Sequence, residues 1–399
     1  MTASQTQRVA IVGCGKIADD HAETLGFMDG IDVVACCDLT YLMAEQLATR
    51  FDIAGVYDDF DRLLEEQRPD VVHITTPPQS HLALAVAAMQ AGAHVWVEKP
   101  LAMNSAEVEQ MTQVAKATGR KLTVGHSYWF DTPALDLRTL VTDGRIGEVV
   151  HVESWYGYDL DGDYGKAIMS TPDNWVHHLP GKLFQNNVDH LFNKVMEFLP
   201  SEDLLVQATA FRRHSKTYGD RRDALLDELR VYMADPTGPT AYATFSSAAA
   251  PRGHWVRVYG TKGSATADFN LRTVEVAAGV SLPTNLGRLL PSITKIGSAA
   301  RQAVTNTGRF ATAEFHYFAG FRRLLDAFYA SITDGAPDPI PLAEMERMTR
   351  IQDRIWAQLP ASGLGSQLTP MGGSPAAVGA EGAPGGAADL SVGQRLDKP

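Results

Sequence analysis

The chain has 399 residues, 45% of them hydrophobic and 21% charged, with a formal net charge of −12; this is globular composition with room for two cores, since single cores stop growing near roughly 250–300 residues. The acidic balance argues against a nucleic-acid partner. No apolar run reaches membrane-spanning length, and the polar start from Met1 to Arg8 lacks the apolar centre of a secretory signal, so a cytoplasmic location is expected.

From Arg8 to Gly125 short β-branched runs alternate with helical stretches, the pattern of a parallel sheet with crossover helices. Strands are predicted at Val9–Val12, Ile31–Cys37, Gly55–Tyr57, Val71–Thr75, Ala93–Val97 and Leu122–Val124. Helices are predicted at Lys16–Met28, Leu42–Arg50, His81–Gln90 and Ala106–Thr118, the last capped by Asn104-Ser105. After a bridging helix near Pro133–Val141 and the turn Gly144–Gly147, longer alternating strands appear at Glu148–Trp155, Leu204–Arg212, Glu228–Ala234, Thr240–Ala249, Trp255–Gly260 and Ala265–Phe269. They predict a largely antiparallel sheet, with Pro180–Leu199 as a helical insertion. Phe315–Thr333 and Pro341–Leu359 read as helices. The expected fold class is α/β: an N-terminal Rossmann domain with a doubly wound parallel sheet (1–125), then an α+β domain with a large, open, mostly antiparallel sheet (126–360).

From Ala361 onward Gly, Ala, Ser and Pro dominate, so the tail 361–399 is expected to be disordered. No acid occurs between Val276 and Ala313, where Leu286, Leu289, Leu290, Ile293, Ile296, Ala300 and Val304 form an apolar stripe at helical spacing. This stretch, 284–309, packs on the sheet or on another subunit, or else presents a basic amphipathic surface, peripheral membrane contact included. Cys14, Cys36 and Cys37 are odd in number and lack CxxC spacing, which indicates neither a disulfide framework nor a zinc site. Asp159–Asp163 looks like a calcium loop, but its glycine is fourth rather than sixth and Ser170 falls twelfth. It reads as a solvated turn, and no metal is expected.

The loop Gly13-Cys14-Gly15-Lys16-Ile17-Ala18 joins the first strand to the first helix. Gly13 allows the tight turn, Gly15 lets the backbone approach a pyrophosphate, and Ala18 takes the third glycine's place. The anion then sits on the free N–H groups of the first turn, at Lys16 and Ile17. Asp38, ending the second strand, suits the adenosine ribose hydroxyls and would repel a 2′-phosphate, with no cation at Leu39 or Thr40. NAD is therefore expected over NADP. Thr75-Thr76-Pro77 follows the fourth strand beside the switch point, against the cofactor, with His81 as a cofactor neighbour. Glu98-Lys99-Pro100 follows the fifth strand, so Lys99 faces the crevice and Pro100 keeps it extended. A Lys-Pro pair alone reads as a solvated strand end; in this company it suggests a catalytic lysine within a dinucleotide site.

Gly13–Ala18, Thr76-Pro77, Glu98-Lys99-Pro100, Gly144-Arg145-Ile146-Gly147 and Gly181–His190 together make the chain resemble the glucose-fructose oxidoreductase and inositol dehydrogenase (Gfo/Idh/MocA) family, over roughly residues 8–358. The resemblance implies a Rossmann domain joined to an α/β domain whose open sheet mediates homo-oligomers, dimeric or tetrameric. It also implies oxidation of a secondary hydroxyl of a sugar, nucleotide sugar or cyclitol with NAD. Where the family carries Asp-x-x-x-His, this chain reads Asn186 to His190, and Asn193 replaces another frequent aspartate. The spacing places Asn186 and His190 on one helix face. An amide orients a hydroxyl or an imidazole but does not raise basicity as a carboxylate would, and Asp189 points elsewhere on a helix.

Hydride transfer calls for a base to take the hydroxyl proton and a cation beside the developing oxyanion. The resemblance assigns these roles to His190 and Lys99, which can exchange them, and gives Glu98 the nicotinamide ribose. By its neighbours alone, His190 reads as a packed histidine on an apolar helix with Val188, Leu191 and Phe192. His126, Trp129 and Trp175 are candidate substrate contacts, Trp129 suiting a sugar face or core packing equally. Two other outcomes stay open: a redox-neutral lyase, hydrolase or epimerase that retains NAD and works through a transient keto sugar, and a non-catalytic dinucleotide-binding regulator.

Overall fold

The computed structural model describes residues 6–171, 173–213, 225–278, 284–311 and 319–359. Its first half alternates strand and helix: β1 (Gln7–Val12), α1 (Lys16–Gly26), β2 (Ile31–Cys37), α2 (Tyr41–Phe51), β3 (Gly55–Tyr57), α3 (Phe60–Gln67), β4 (Val71–Ile74), α4 (His81–Gln90), β5 (His94–Val97), α5 (Ser105–Thr118) and β6 (Leu122–Val124). The strands pair in the order β3-β2-β1-β4-β5-β6, all parallel. This is the doubly wound order, whose reversal point lies between β1 and β4 and opens a crevice at their carboxyl ends. Val9–Ile11, Val71, Val72, Ile74 and Val95–Val97 are fully buried, because helices cover both faces of such a sheet. Helix α3 was not anticipated: only Phe60, Leu63 and Leu64 are apolar in it, yet Asp59 caps it, its Oδ1 accepting from the Arg62 N–H at 2.9 Å.

A bridging helix, α6 (Thr132–Thr142), leads to β7 (Val149–Gly157) and α7 (Asp163–Ser170). The insertion expected as one helix is instead three short ones, α8 (Lys182–Asn186), α9 (Val188–Leu191) and α10 (Asn193–Met196), interrupted at Asn187 and Phe192. Strands β8 (Leu205–Phe211), β9 (Glu228–Ala234), β10 (Thr240–Ser246), β11 (His254–Gly260), β12 (Gly263–Asp268) and β13 (Thr273–Ala278) complete a sheet ordered β13-β12-β11-β7-β10-β9-β8. Only the β7–β10 pair in it is parallel. The edge strand β13 was not anticipated. Along β9, β10 and β11 burial alternates, with Val231, Met233, Ala241, Ala243, Phe245, Val256 and Val258 inward. The inward face meets α9 and α10.

Three helices follow: α11 (Thr284–Ala311), α12 (Ala319–Thr333) and α13 (Leu342–Trp356). Phe321 and Phe328 of α12 pack edge-on against Trp96 of β5, with ring centroids 5.7 and 5.8 Å away. The tail 361–399, the start of the helix expected at Phe315, and the side chains of Leu286, Leu289, Leu290 and Ile293 lie outside the described residues. Ile296 and Val304, which continue that apolar stripe on α11, are exposed. Among the described residues, no helix is long and apolar enough to cross a membrane.

Candidate active site

A cleft of about 780 Å³ opens at the carboxyl ends of β1 and β4 and extends to β7 and α9. Its first wall is the glycine loop. Gly13 has φ +93°, and a Cβ there would lie 2.7 Å from the Thr76 backbone nitrogen, so the turn demands glycine. An added Cβ on Gly15 would meet nothing within 4 Å, which leaves that backbone open to a ligand. No side chain caps α1 at Gly15, so its leading N–H groups face the cleft as an anion seat. Asp38 lines the same wall; its Oδ2 accepts from the Cys14 N–H at 2.8 Å and its Oδ1 from the Thr40 N–H at 2.9 Å. Asp20 and Asp58 add further negative charge nearby. Glycine turn, bare helix start and strand-end carboxylate fit the pyrophosphate and adenosine ribose of a dinucleotide.

The middle of the cleft is the β4 and β5 ends. Thr75, whose Oγ1 donates to the Gly13 carbonyl at 2.5 Å, lines the cleft with Thr76 and Pro77. Glu98 and Lys99 follow β5. A Cβ on Gly125 would fall 2.8 Å from Glu98 Oε1, so Glu98 is wedged against the end of β6. That oxygen lies 3.1 Å from His21 Nε2; His21 Nδ1 is 2.8 Å from His73 Nδ1, and His73 Nε2 is 2.9 Å from the Tyr329 hydroxyl. With His21 singly protonated, one arrangement satisfies every atom: Tyr329 O–H donates to His73, His73 to His21, and His21 to the carboxylate. Burial pushes the Glu98 carboxyl up, but the His21 hydrogen bond, with the charge of Lys99, outweighs it and holds it below the usual range. Burial keeps the His73 imidazole far below its ordinary value, hence neutral.

The far wall comes from the second sheet and its short helices. Lys99 Nζ reaches the Asn186 carbonyl at 3.4 Å, which ties the β5 end to α8. Asn186 and His190 both line the cleft despite the break at Asn187. Asn186 Oδ1 and His190 Nδ1 are buried without a hydrogen bond, two groups a polar ligand would satisfy. Burial lowers His190 to about 3, with Lys99 acting in the same direction and Asp189 opposing. The imidazole is therefore neutral, the form that accepts a proton. Asp189 turns away from the cleft: buried, it meets His126 Nδ1 at 3.2 Å and accepts from Asn193 Nδ2 at 3.0 Å.

Of the residues singled out in the sequence, Gly13, Gly15, Lys16, Ile17, Asp38, Thr75, Thr76, Pro77, Glu98, Lys99, Trp175, Asn186 and His190 line this one cleft. His81, His126 and Trp129 do not. His81 is buried between the carbonyls of Thr76, 2.8 Å away, and Leu101, 3.1 Å away. His126 is engaged by Asp189, and the Trp129 Nε1–H donates to the Asn193 carbonyl at 2.6 Å. Tyr158 and Tyr164, not singled out in the sequence, line the cleft with His190, as does Tyr156 near the end of β7. Their spacing at the exit of β7 was the available signal, but it carries no motif. The Asp159 turn is closed by its own backbone, with Oδ1 accepting from the N–H groups of Asp161 and Gly162.

Two family models match the chain: the Gfo/Idh/MocA oxidoreductase family, NAD-binding Rossmann fold, over residues 7–126, and the Gfo/Idh/MocA C-terminal domain over residues 134–266. A D-glucoside 3-dehydrogenase of Escherichia coli is 35% identical over 150 residues, which is 37% of this chain and 42% of that protein. An inositol 2-dehydrogenase of Salmonella typhimurium is 27% identical over 225 residues, 55% of this chain and 62% of that protein. The matched segments thus span less than two thirds of these relatives' length. Among solved structures, the WlbA dehydrogenase of Bordetella pertussis in complex with NADH and UDP-GlcNAcA superposes with a TM-score of 0.71 at 16% identity, covering 90% of this chain and 96% of that one. That likeness speaks to the fold alone.

Proposed function

The chain belongs to the Gfo/Idh/MocA family of oxidoreductases, and from that premise we propose that it is an NAD-dependent dehydrogenase of a secondary hydroxyl on a sugar or cyclitol. The observation that carries this reading is the meeting of Lys99, from the end of β5, with His190, from α9, in one cleft with the glycine loop. Bound NAD supplies the hydride acceptor. Gly13, Gly15 and the start of α1 hold its pyrophosphate, Asp38 its adenosine ribose and Glu98 its second ribose. Lys99 steadies the negative charge that grows on the substrate oxygen. His190, neutral, takes the hydroxyl proton, while Asn186 Oδ1 accepts a hydrogen bond from an adjacent substrate hydroxyl. Trp175 and the three tyrosines present ring faces to the substrate. The names of the related dehydrogenases support the hydroxyl-bearing substrate class.

Asp38, with Asp20 and Asp58 nearby, favours NAD over NADP, because a 2′-phosphate would meet carboxylates there. We divide the chain after Gly125, where β6 ends and the second sheet's connections begin. That sheet turns Tyr232, Tyr242, Trp255, Arg257 and Tyr259 away from the inward residues, and Tyr242 is half exposed. Such an aromatic sheet face supports a homo-oligomer built through it. A panel of sugars, cyclitols and nucleotide sugars, followed by absorbance of reduced nicotinamide with NAD and NADP in parallel, tests the proposal. Reduction of NAD by a member of the panel is expected; no reduction by any of them, with NAD failing to raise Tm, would remove it.

A further inference from the structure

A second pocket, of about 390 Å³, adjoins the cleft and shares Tyr156, Tyr158 and Tyr164 with it. Its size falls in the range of small-molecule sites, roughly 300–1,000 Å³. Its base is His254, 5% exposed, with Nε2 making no hydrogen bond. The Tyr128 and Phe269 rings flank that imidazole, each with its centroid 4.8 Å away. The Tyr158 hydroxyl, between the two pockets, is also buried without a hydrogen bond. Two guanidinium groups, Arg252 and Arg272, face three carboxylates, Asp131, Asp159 and Asp163. They are paired: Arg252 with Asp159 at 2.8 Å, and Arg272 with both oxygens of Asp131 at 2.8 and 3.2 Å.

Aromatic faces suit the apolar face of a pyranose ring. A buried imidazole nitrogen and a buried phenol, both lacking partners, call for hydroxyl groups. Charge pairs that already cancel offer hydrogen bonds without attracting an anion, and the carboxylate excess works against one. We propose that this pocket holds the second ring of the substrate, which is therefore a neutral two-ring glycoside such as a disaccharide. Its first ring lies between Lys99 and His190 and its glycosidic link passes the shared tyrosines. The inference rests on the dehydrogenase reading only for the position of the reacting ring.

Calorimetric titration of the full chain loaded with NADH tests it without turnover. The ligands are maltose, cellobiose, trehalose, lactose and melibiose, each compared with the methyl glucosides and galactosides, together with UDP-glucose. At least one disaccharide is expected to bind tenfold or more tighter than the methyl glycoside of its sugar. Asn270→Trp, which fills the pocket from its exposed rim, and Arg252→Ser, which opens an exposed ion pair, should each remove most of that gain. Equal binding of one-ring and two-ring sugars, no binding of either, tighter binding of UDP-glucose, or a gain that survives both substitutions would overturn the inference. Formation of NADH from NAD is read separately: a disaccharide bound tightly but never oxidised sinks the dehydrogenase and leaves the subsite, whereas a one-ring sugar oxidised as well as any disaccharide and bound equally does the reverse.

Discussion

Replacing His21 with leucine tests the buried chain behind Glu98. His21 is fully buried and is the hydrogen-bond partner of Glu98 Oε1 at 3.1 Å. Its loss leaves a nearly buried carboxylate with the Lys99 N–H, 3.3 Å from Oε2, as its remaining hydrogen bond, and leaves His73 Nδ1 facing a hydrocarbon. A hydrogen bond to a charged group contributes about 1.5–3 kcal/mol, and an orphaned buried donor adds about 1 kcal/mol or more. The expected destabilisation is about 3 kcal/mol, a fall in Tm of roughly 4 °C for a chain of this size. Because burial is the largest influence on Glu98 and acts upward, its carboxyl then titrates above its ordinary value, and NADH affinity weakens as pH falls from neutral. Fluorescence titration of NADH at several pH values reads this, with His21→Gln, which keeps an N–H donor, as the partial rescue. A His21→Leu protein with unchanged Tm and a parallel pH profile of NADH affinity would refute the reasoning.

Tyr329→Phe removes only the outer donor of the same chain, so its cost should be smaller, about 1 kcal/mol by urea denaturation. Asp38→Ser should weaken NAD about tenfold or more, by loss of charge-assisted hydrogen bonds, and narrow the gap between NAD and NADP Kd values. Acid should destabilise the fold below pH 6.5, because His73, His190 and His254 have folded values below 6.5, about 3 for His190. Between those limits the unfolded chain binds protons the folded one refuses, so stability is complete above 6.5 and declines as pH falls. Each such histidine contributes a slope approaching about 1.4 kcal/mol per pH unit. Denaturant midpoints at pH 7.5, 6 and 5 check this, and His190→Leu should flatten the decline.

The first sheet was legible because parallel strands buried on both faces leave continuous β-branched runs: β2, β6 and α4 fall where the residues alone put them. Helix α3 escaped because its apolar content is three residues amid charge, although the Asp59 cap was present in the sequence. The edge strand β13, Thr-Val-Glu-Val-Ala-Ala, alternates too briefly to be distinguished from a turn. The cofactor wall was readable since each of its parts is a local motif at a strand end. The substrate wall was not. Tyr156, Tyr158 and Tyr164 converge only after β7 is placed beside α9, and the loss of His126 and Trp129 to Asp189 and Asn193 depends on contacts across 63 and 64 residues. The His21–His73–Tyr329 chain joins three elements through hydrogen bonds that span 52 and 256 residues, which no spacing rule reaches.

The most direct measurement compares wild type with Lys99→Met and His190→Ala for NADH formation on the best substrate of the panel, alongside NADH affinity. Loss of a positioned acid or base costs about 10²–10⁴-fold. The account predicts losses of that size in kcat for both variants, with NADH Kd nearly unchanged. Near-wild-type turnover in either variant, or a loss traced wholly to failed cofactor binding, would contradict it.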